Sequence, residues 1–207
     1  MGGQIIDATI VAAPRQRNSR EDNDCLKRGE TPPGWDEQPA KQRRKDVDAR
    51  WTKKHDRTYF GYKNHISMDR RHKLVRRYSV TDAARHDGVE LDAVLDPSNT
   101  CSKEWADSAY RSAETEENLA GRGYQSCIHR RGARNHLLPA REQQGNATRS
   151  RVRVRVEHVF GHQATAMGGK LVRTIGLVRA KMKIGMQNLS HNMSRFVHSR
   201  GARAGPA

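Results

Sequence analysis

Aromatic residues make up 5% of the 207-residue chain and apolar residues 34%, both thin for a free-standing globule. Either part of the chain is loose or part of the protein lies elsewhere. Cysteine is scarce too. Cys25, Cys101 and Cys127 stand far apart with no CxxC pair, so neither a zinc site nor a disulfide framework is supported, and a reducing compartment suits the chain. No run approaches the ~18 apolar residues of a membrane-spanning helix. The opening MGGQIIDATI lacks the basic n-region and long apolar stretch of a secretory signal, and Ile6 stands where a myristoylation motif needs Ser or Thr. Acids are the minority charge: 39 Lys and Arg against 23 Asp and Glu give a formal +16. A surface that basic attracts polyanions, nucleic acid before others. The length suits one domain.

The segment QIIDATIVAA (4–13) is rich in Ile, Val and Thr and reads as a buried strand. From Pro14 to about Thr58 the chain is polar and charged, with Pro32, Pro33, Gly34 and Pro39. It reads as a long mobile connection with a short helix near 39–46. Residues 57–69 and 72–83 are β-rich and joined as a hairpin through Asp69–His72. A helix is expected over 86–96, ahead of Pro97. A short strand follows at 101–110. The next helix, 112–123, is capped by Ser112 with Glu114 and Glu116 in its first turn. Residues 124–131 read as a further strand and 132–148 as a basic, turn-rich stretch. Apolar residues at Leu171, Ile175, Val178, Met182, Met186, Leu189, Met193 and Phe196 step by three or four, predicting an amphipathic helix, whole or broken near Gly185. Residues 198–207 read as a disordered basic tail. Strands followed by mixed strands and helices predict an α/β or α+β domain on a mixed sheet.

Within RSRVRVRVEHVF (149–160), period-two alternation suggests a strand, but it fails at Val159–Phe160. On a helix, Val152, Val156, Val159 and Phe160 form one stripe, and Arg149, Arg153 and Glu157 follow at i, i+4 and i+8 beside it. The plain account of this lone glutamate is a solvated helix face with an ordinary ion pair. Two further acids are oddly placed. Asp7 interrupts a β-branched run, and Asp107 ends a short strand. Carboxylates at neighbouring strand ends, joined by one from a helix packed on that edge, make a hard oxygen donor set suited to Mg²⁺ or Mn²⁺. Eight arginines between 130 and 155 (130, 131, 134, 141, 149, 151, 153 and 155) accompany one acid, Glu142, which marks a strand-binding surface. Lys63 and His65 are weaker DNA-contact candidates. Tyr59, Phe60 and Tyr62 read as packing residues before stacking ones, and Trp51 as a loop anchor or an insert against DNA. Asp46 and Asp48 are the rival acids. His158 and His162 stand at i, i+4 with no evident third metal ligand.

The words IIDATIV, KDVDARWTKK, YFGYKNHIS, WADSAYRS and RVEHVFG, in this order, resemble the catalytic part of bacterial insertion-sequence transposases of the DDE type, insertion-sequence group five, over residues 1–197. The resemblance implies an RNase H-like mixed sheet flanked by helices. It also implies Mg²⁺- or Mn²⁺-dependent cleavage at transposon ends with strand transfer into target DNA. It places the catalytic, metal-binding acids on Asp7, Asp107 and Glu157. Arg153 and Arg149 fall to DNA phosphate, with Arg151, Arg155, Arg130, Arg131, Arg111, Tyr110 and Lys170 completing the expected DNA-binding set. Two positions depart from the broader motif: Ser150 replaces its tyrosine and Ala164 its lysine, with Lys170 nearby but out of register. Such transposases carry a helical DNA-binding region before the first acid, whereas Met1 precedes Asp7 by six residues. The expectation is therefore an N-terminally truncated domain with an upstream-encoded region as partner. Transposon-end and target DNA are its other partners, with room for a homo-oligomer and no membrane, in the bacterial cytoplasm at the nucleoid. The alternative is an inactive remnant that only binds nucleic acid electrostatically. A basic RNA-binding structural protein is a third reading, but it gives no reason for WADSAYRS and RVEHVFG to occur together.

Overall fold

A computed structural model describes residues 2–132 and 136–201. Its strands are Gln4–Ala12 (β1), Arg50–Lys54 (β2), Arg57–Asp69 (β3), Val75–Asp82 (β4), Lys103–Trp105 (β5) and Gln125–Ser126 (β6). Its helices are Arg20–Lys27 (α1), Pro39–Gln42 (α2), Leu91–Val94 (α3), Ala113–Gly121 (α4), Ala140–Thr165 (α5) and Leu177–Gly201 (α6). The six strands form one mixed sheet in the order β3-β1-β5-β6, with β2 and β4 sharing the outer edge of β3. β1 runs antiparallel to β3 and parallel to β5, which is parallel to β6. This is the α/β arrangement that an RNase H-like fold implies.

Successive side chains of a strand face opposite ways, so β1 supplies both sides of the sheet. Ile6 packs with Leu91, Val94, Tyr110 and Leu119 under α3 and α4. Ile5 packs with Ile66, Trp105, Val156 and Val159 under α5. A third cluster joins Val11, Phe60, Tyr62, Val80, Ala180 and Ile184 under α6. Each such side chain, withdrawn from water, contributes about 1.5–3 kcal/mol, which fixes α5 on the Ile5 face.

Three segments differ from the sequence reading. Residues 14–58, read as a connection with a short helix near 39–46, contain α1 and β2 besides that helix, α2. Ser19 caps α1 by accepting from Asp22 N while Asp22 Oδ2 accepts from Ser19 N. That capping box holds a helix too short to show a hydrophobic period. In the same segment Trp35 is buried, with Lys41 and Lys45 over its ring. The stretch read as turn-rich ends at Pro139: α5 starts at Ala140 and runs 26 residues, its first turns too polar to reveal a buried face.

The third difference is α6: of the two forms expected it takes the unbroken one through Gly185, but it also runs on through residues 198–201 of the expected tail. A Cβ at Gly185 would strike the Tyr78 hydroxyl, so this glycine lets the helix approach β4 and breaks nothing. The apolar stripe expected to be buried faces outward: Val178 is 80% exposed, Met186 62% and Met193 62%. The sheet-facing side is Ala180, Ile184, Asn188 and His191. Asn188 Oδ1 accepts from Asn64 and Gln163, and Asn192 brackets Val75 N and O on β4. Satisfying those buried strand groups orients the helix, since an unpaired buried amide costs more than an exposed methionine. Arg134 and residues 202–207 of the expected tail lie outside the described residues. Among those described, no helix is long and apolar enough to cross a membrane.

Candidate active site

The parallel register of β1 and β5 sets the site. Ile5 lies beside Trp105, and two residues further along each chain, on the same face, come Asp7 and Asp107. Asp7 is mid-strand. Asp107 lies two residues past the end of β5, after Ala106, and accepts from Ser108 N at the head of a 3-10 turn. That face is the one α5 covers. Val156 and Val159 seat the helix on Ile5 and Trp105, which leaves Arg153 and Glu157 overhanging the two aspartates.

The three acids meet at one guanidinium. Arg153 Nη2 lies 3.3 Å from Asp7 Oδ2 and 3.9 Å from Glu157 Oε1, and its Nη1 lies 3.8 Å from Asp107 Oδ1. The Asp7 side chain is 15% exposed, against 43% for Asp107 and 66% for Glu157. Burial pushes the Asp7 pKa above the ordinary aspartate value, and the nearby Asp107 adds to the rise. Arg153, the Ala8 N–H and Lys54 pull the other way. His129 closes the group, with its Nδ1 3.4 Å from Arg153 Nη1 and 3.9 Å from Asp107 Oδ1, and its Nε2 3.3 Å from Ser150 Oγ. Burial and then Arg153 hold His129 below the usual histidine pKa, so its ring is neutral near pH 7.

These acids line a cleft of about 660 Å³ whose other walls carry Thr52, Lys53, Lys54, His55, Lys63 and Asp87. Lys63 donates to Asp87 Oδ1 at 2.9 Å and to Arg85 O at 2.7 Å. The sequence reading weighed Lys63 and missed Lys54, His55, Asp87 and the siting of His129, because nothing local tells which way the β2–β3 hairpin faces.

The rest of the expected DNA-binding set is dispersed. Glu142 takes two of its arginines, Arg130 at 3.0 Å and Arg149 at 3.6 Å. Arg155 donates to Arg70 O, and Arg111 pairs with Glu116 at 3.1 Å. Arg131 and Arg151 are exposed. Lys170 is held at the far end of β1, where Ala12 N donates to its carbonyl. Tyr110 is corrected from a DNA contact to a core residue: it is 1% exposed in the α3–α4 cluster, its hydroxyl out of reach of a strand. The rival acids are structural. Asp46 accepts from the buried Tyr62 hydroxyl, and Asp48 accepts from Leu177 N at the start of α6. His65 is buried, as are Phe60 and Tyr62, and the Trp51 ring packs tilted against Phe60 with centroids 5.2 Å apart. His162 meets His191 (3.3 Å) rather than His158.

Among the described residues no three carboxylate, imidazole or thiolate groups are already drawn to metal-ligating distance of one point; the triad's oxygens surround Arg153 instead. The donor chemistry nonetheless fits a divalent cation. The three groups are hard carboxylates of the kind Mg²⁺ and Mn²⁺ take, a cation already sits among them, and the buried Asp7 ionises more readily the more positive charge faces it.

The family model described as "Transposase DDE domain" matches residues 1–193. The transposase for insertion sequence element IS1106 of Neisseria meningitidis serogroup B is 31% identical over 160 residues, 76% of this chain. The chain spans about half, 52%, of that relative's length. No solved structure matches.

Proposed function

Because the chain belongs to the transposase DDE domain family, we propose that its cleft cuts DNA at the ends of an insertion sequence and joins the freed 3′-hydroxyl to target DNA. Residues 1–197 form the catalytic domain in this reading. The observation that carries it is the convergence of Asp7, Asp107 and Glu157 on one cation at the edge of a cleft with basic walls. Asp7, Asp107 and Glu157 are the residues that would hold Mg²⁺ or Mn²⁺, which when bound supplies Lewis-acid activation of water and of the phosphodiester. The chain's own groups do the rest. Parallel strands fix the two aspartates side by side, and α5 lowers Glu157 over them. Arg153 stands where it can pass from carboxylate to phosphate oxygen, a charge-assisted contact of similar geometry. Asp7 is the better shielded from water and Glu157 the more exposed, so Glu157 is the acid free to adjust as substrate enters.

The test is an incubation of purified protein with end-labelled insertion-sequence DNA, with Mg²⁺ or Mn²⁺ and with EDTA. Nicking or joining is expected with metal. It should vanish in Asp7→Ala, Asp107→Ala and Glu157→Ala, while anisotropy shows that each variant still binds DNA. Unchanged cleavage by Glu157→Ala removes it from the triad. Metal-dependent cutting by none of the preparations leaves an electrostatic nucleic-acid binder.

A further inference from the structure

The arm formed by β2 and the first residues of β3 is anchored at its base by Phe60, which packs in the core under α6, while its tip, residues 53–57, is exposed. β1 pairs with β3 only as far as Gly61, opposite Ala12. Residues 57–60 of β3 run on beyond that point and take their ladder partners from β2, with the Phe60 carbonyl also accepting from Ala13 N just past β1. The arm turns at His55 and Asp56, both left-handed with φ of 48° and 58°, the conformation of a tight two-residue hairpin turn. Residues 50–57 carry Arg50, Lys53, Lys54 and Arg57 against the single acid Asp56.

Two features of this arm point to an anionic ligand. The first is the pairing at its end. Lys54 and Arg57 are direct cross-strand partners, and like charges in that position repel. Lys53 is relieved by Asp56 at 3.2 Å. Neither Lys54 nor Arg57 makes an ion pair among the described residues, and both are exposed. An anion seated between them removes the repulsion. The second is the arm's direction. Thr52, Lys53, Lys54 and His55 line the same cleft as Asp7, Asp107 and Glu157, as do Arg153 and Phe160 of α5. Meanwhile several arginines of α5 and its neighbourhood are spent internally, on Glu142 and on Arg70 O. Of the lysines and arginines lining the cleft, Lys53 pairs with Asp56, Lys63 with Asp87 and Arg153 with the acids, which leaves Lys54 of the arm without an ion pair among the described residues.

We propose that the β2–β3 arm is the second jaw of the cleft, in which Lys54, His55 and Arg57 hold the backbone phosphates of the DNA strand whose reacting phosphate lies at the acids. This rests on the cleft being a DNA site. The contact is to phosphate, so it sets the position of the strand and carries no base sequence. Lysine acts as a point charge, the histidine ring N–H and the Thr52 hydroxyl add donors, and the stiff two-residue turn keeps them together.

Anisotropy with a fluorescein-labelled insertion-sequence end duplex, in EDTA so that nothing is cut, separates this from general basicity. Lys54→Gln and Arg57→Gln are compared with Lys27→Gln, which removes the same charge from exposed α1. Each arm variant should weaken binding by roughly three- to ten-fold at ~0.1 M salt and lower the log–log salt slope by about one, with Lys27→Gln near wild type. In parallel, bound duplex should slow acylation of Lys54 and leave Lys27 unchanged. Equal binding and slope for the Lys54, Arg57 and Lys27 variants, with Lys54 unprotected, overturns the jaw while leaving the cutting assay, and hence the transposase reading, intact. A wild-type protein that binds no duplex at low salt overturns both.

Discussion

Glu104 offers a measurable handle on the strand that positions Asp107. It stands in β5, three residues before Asp107, 1% exposed, and neither carboxyl oxygen has a hydrogen-bond partner among the described residues. Burial pushes its pKa from 4.5 up to about 9, with Cys101 and Asp96 adding to the rise. Gln4, its partner in the β1–β5 register, pulls the other way, but the Gln4 amide is committed to Asp96 and Ser67. Below pH 4.5 the group is protonated whether the chain is folded or not, and it costs nothing. Between 4.5 and 9 the unfolded chain releases the proton and the folded chain keeps it, so stability falls as pH rises. Each pH unit removes about 1.4 kcal/mol, which amounts to roughly 3 kcal/mol by pH 7. Glu104→Gln keeps the volume and abolishes the ionisation. The variant should match wild type near pH 4.5 and exceed it by about 3 kcal/mol at pH 7. For a chain of this size, at ~2–4 °C per kcal/mol, that is a rise in Tm on the order of 10 °C. Circular-dichroism melts at pH 5, 6, 7 and 8 read this directly. Parallel loss of stability in the two proteins across that range refutes the buried-acid account. β5 pairs with β1 through only Gln4–Glu104 and Ile5–Trp105, so the same substitution should hold Asp107 in place at alkaline pH.

Two further outcomes test the site and the helix above it. In urea titrations, Ile184→Ala should cost ~2–5 kcal/mol and Met186→Lys no more than about 0.5 kcal/mol; the reverse order would mean that α6 presents its methionines to the sheet. Arg153→Gln removes the strongest force holding the Asp7 pKa down, so carboxyl-carbon NMR should show Asp7 titrating at higher pH than in wild type, and a lower titration point would separate Arg153 from the triad.

What the sequence revealed was mostly local. Ser112 accepts from Thr115 N at the head of α4 as its capping position implies, and β1, β3 and β4 follow their β-branched runs. Helix was also the right choice for the RVRVRV stretch, because Val156 and Val159 are buried together. The nearness of Asp7, Asp107 and Glu157 followed from resemblance, since register between β1 and β5 is a long-range property. What stayed hidden was decided by partners distant in sequence. The inward face of α6 depends on amide pairs such as Asn188 with Asn64, 124 residues apart. A stripe of methionines and leucines at helical spacing therefore named the wrong side. In the same way, basic density along 130–155 overstated the free charge, because Glu142 on α5 pairs with two of those arginines, Arg130 and, two turns along the same helix, Arg149.

The charge balance inside the cleft explains why acids and bases are interleaved there. Three carboxylates share one guanidinium, which leaves a formal deficit of positive charge at the centre of a chain that carries +16 overall. A phosphodiester alone is drawn by the basic walls and repelled by that centre. A divalent cation alone is drawn to the centre and repelled by Lys54 and Arg153. Each removes the obstacle to the other: the cation offsets the acids, and the phosphate offsets the lysine and arginine. Binding of the two should therefore be cooperative, each tightening the other by the same factor. Neutralising the acids as Asp7→Asn, Asp107→Asn and Glu157→Gln should then strengthen metal-free DNA binding while erasing any gain from Mg²⁺. Isothermal titration of duplex with and without Mg²⁺ reads that sign, and acid-to-amide variants that weaken metal-free binding would mean that the carboxylates contact the strand through their own hydrogen bonds.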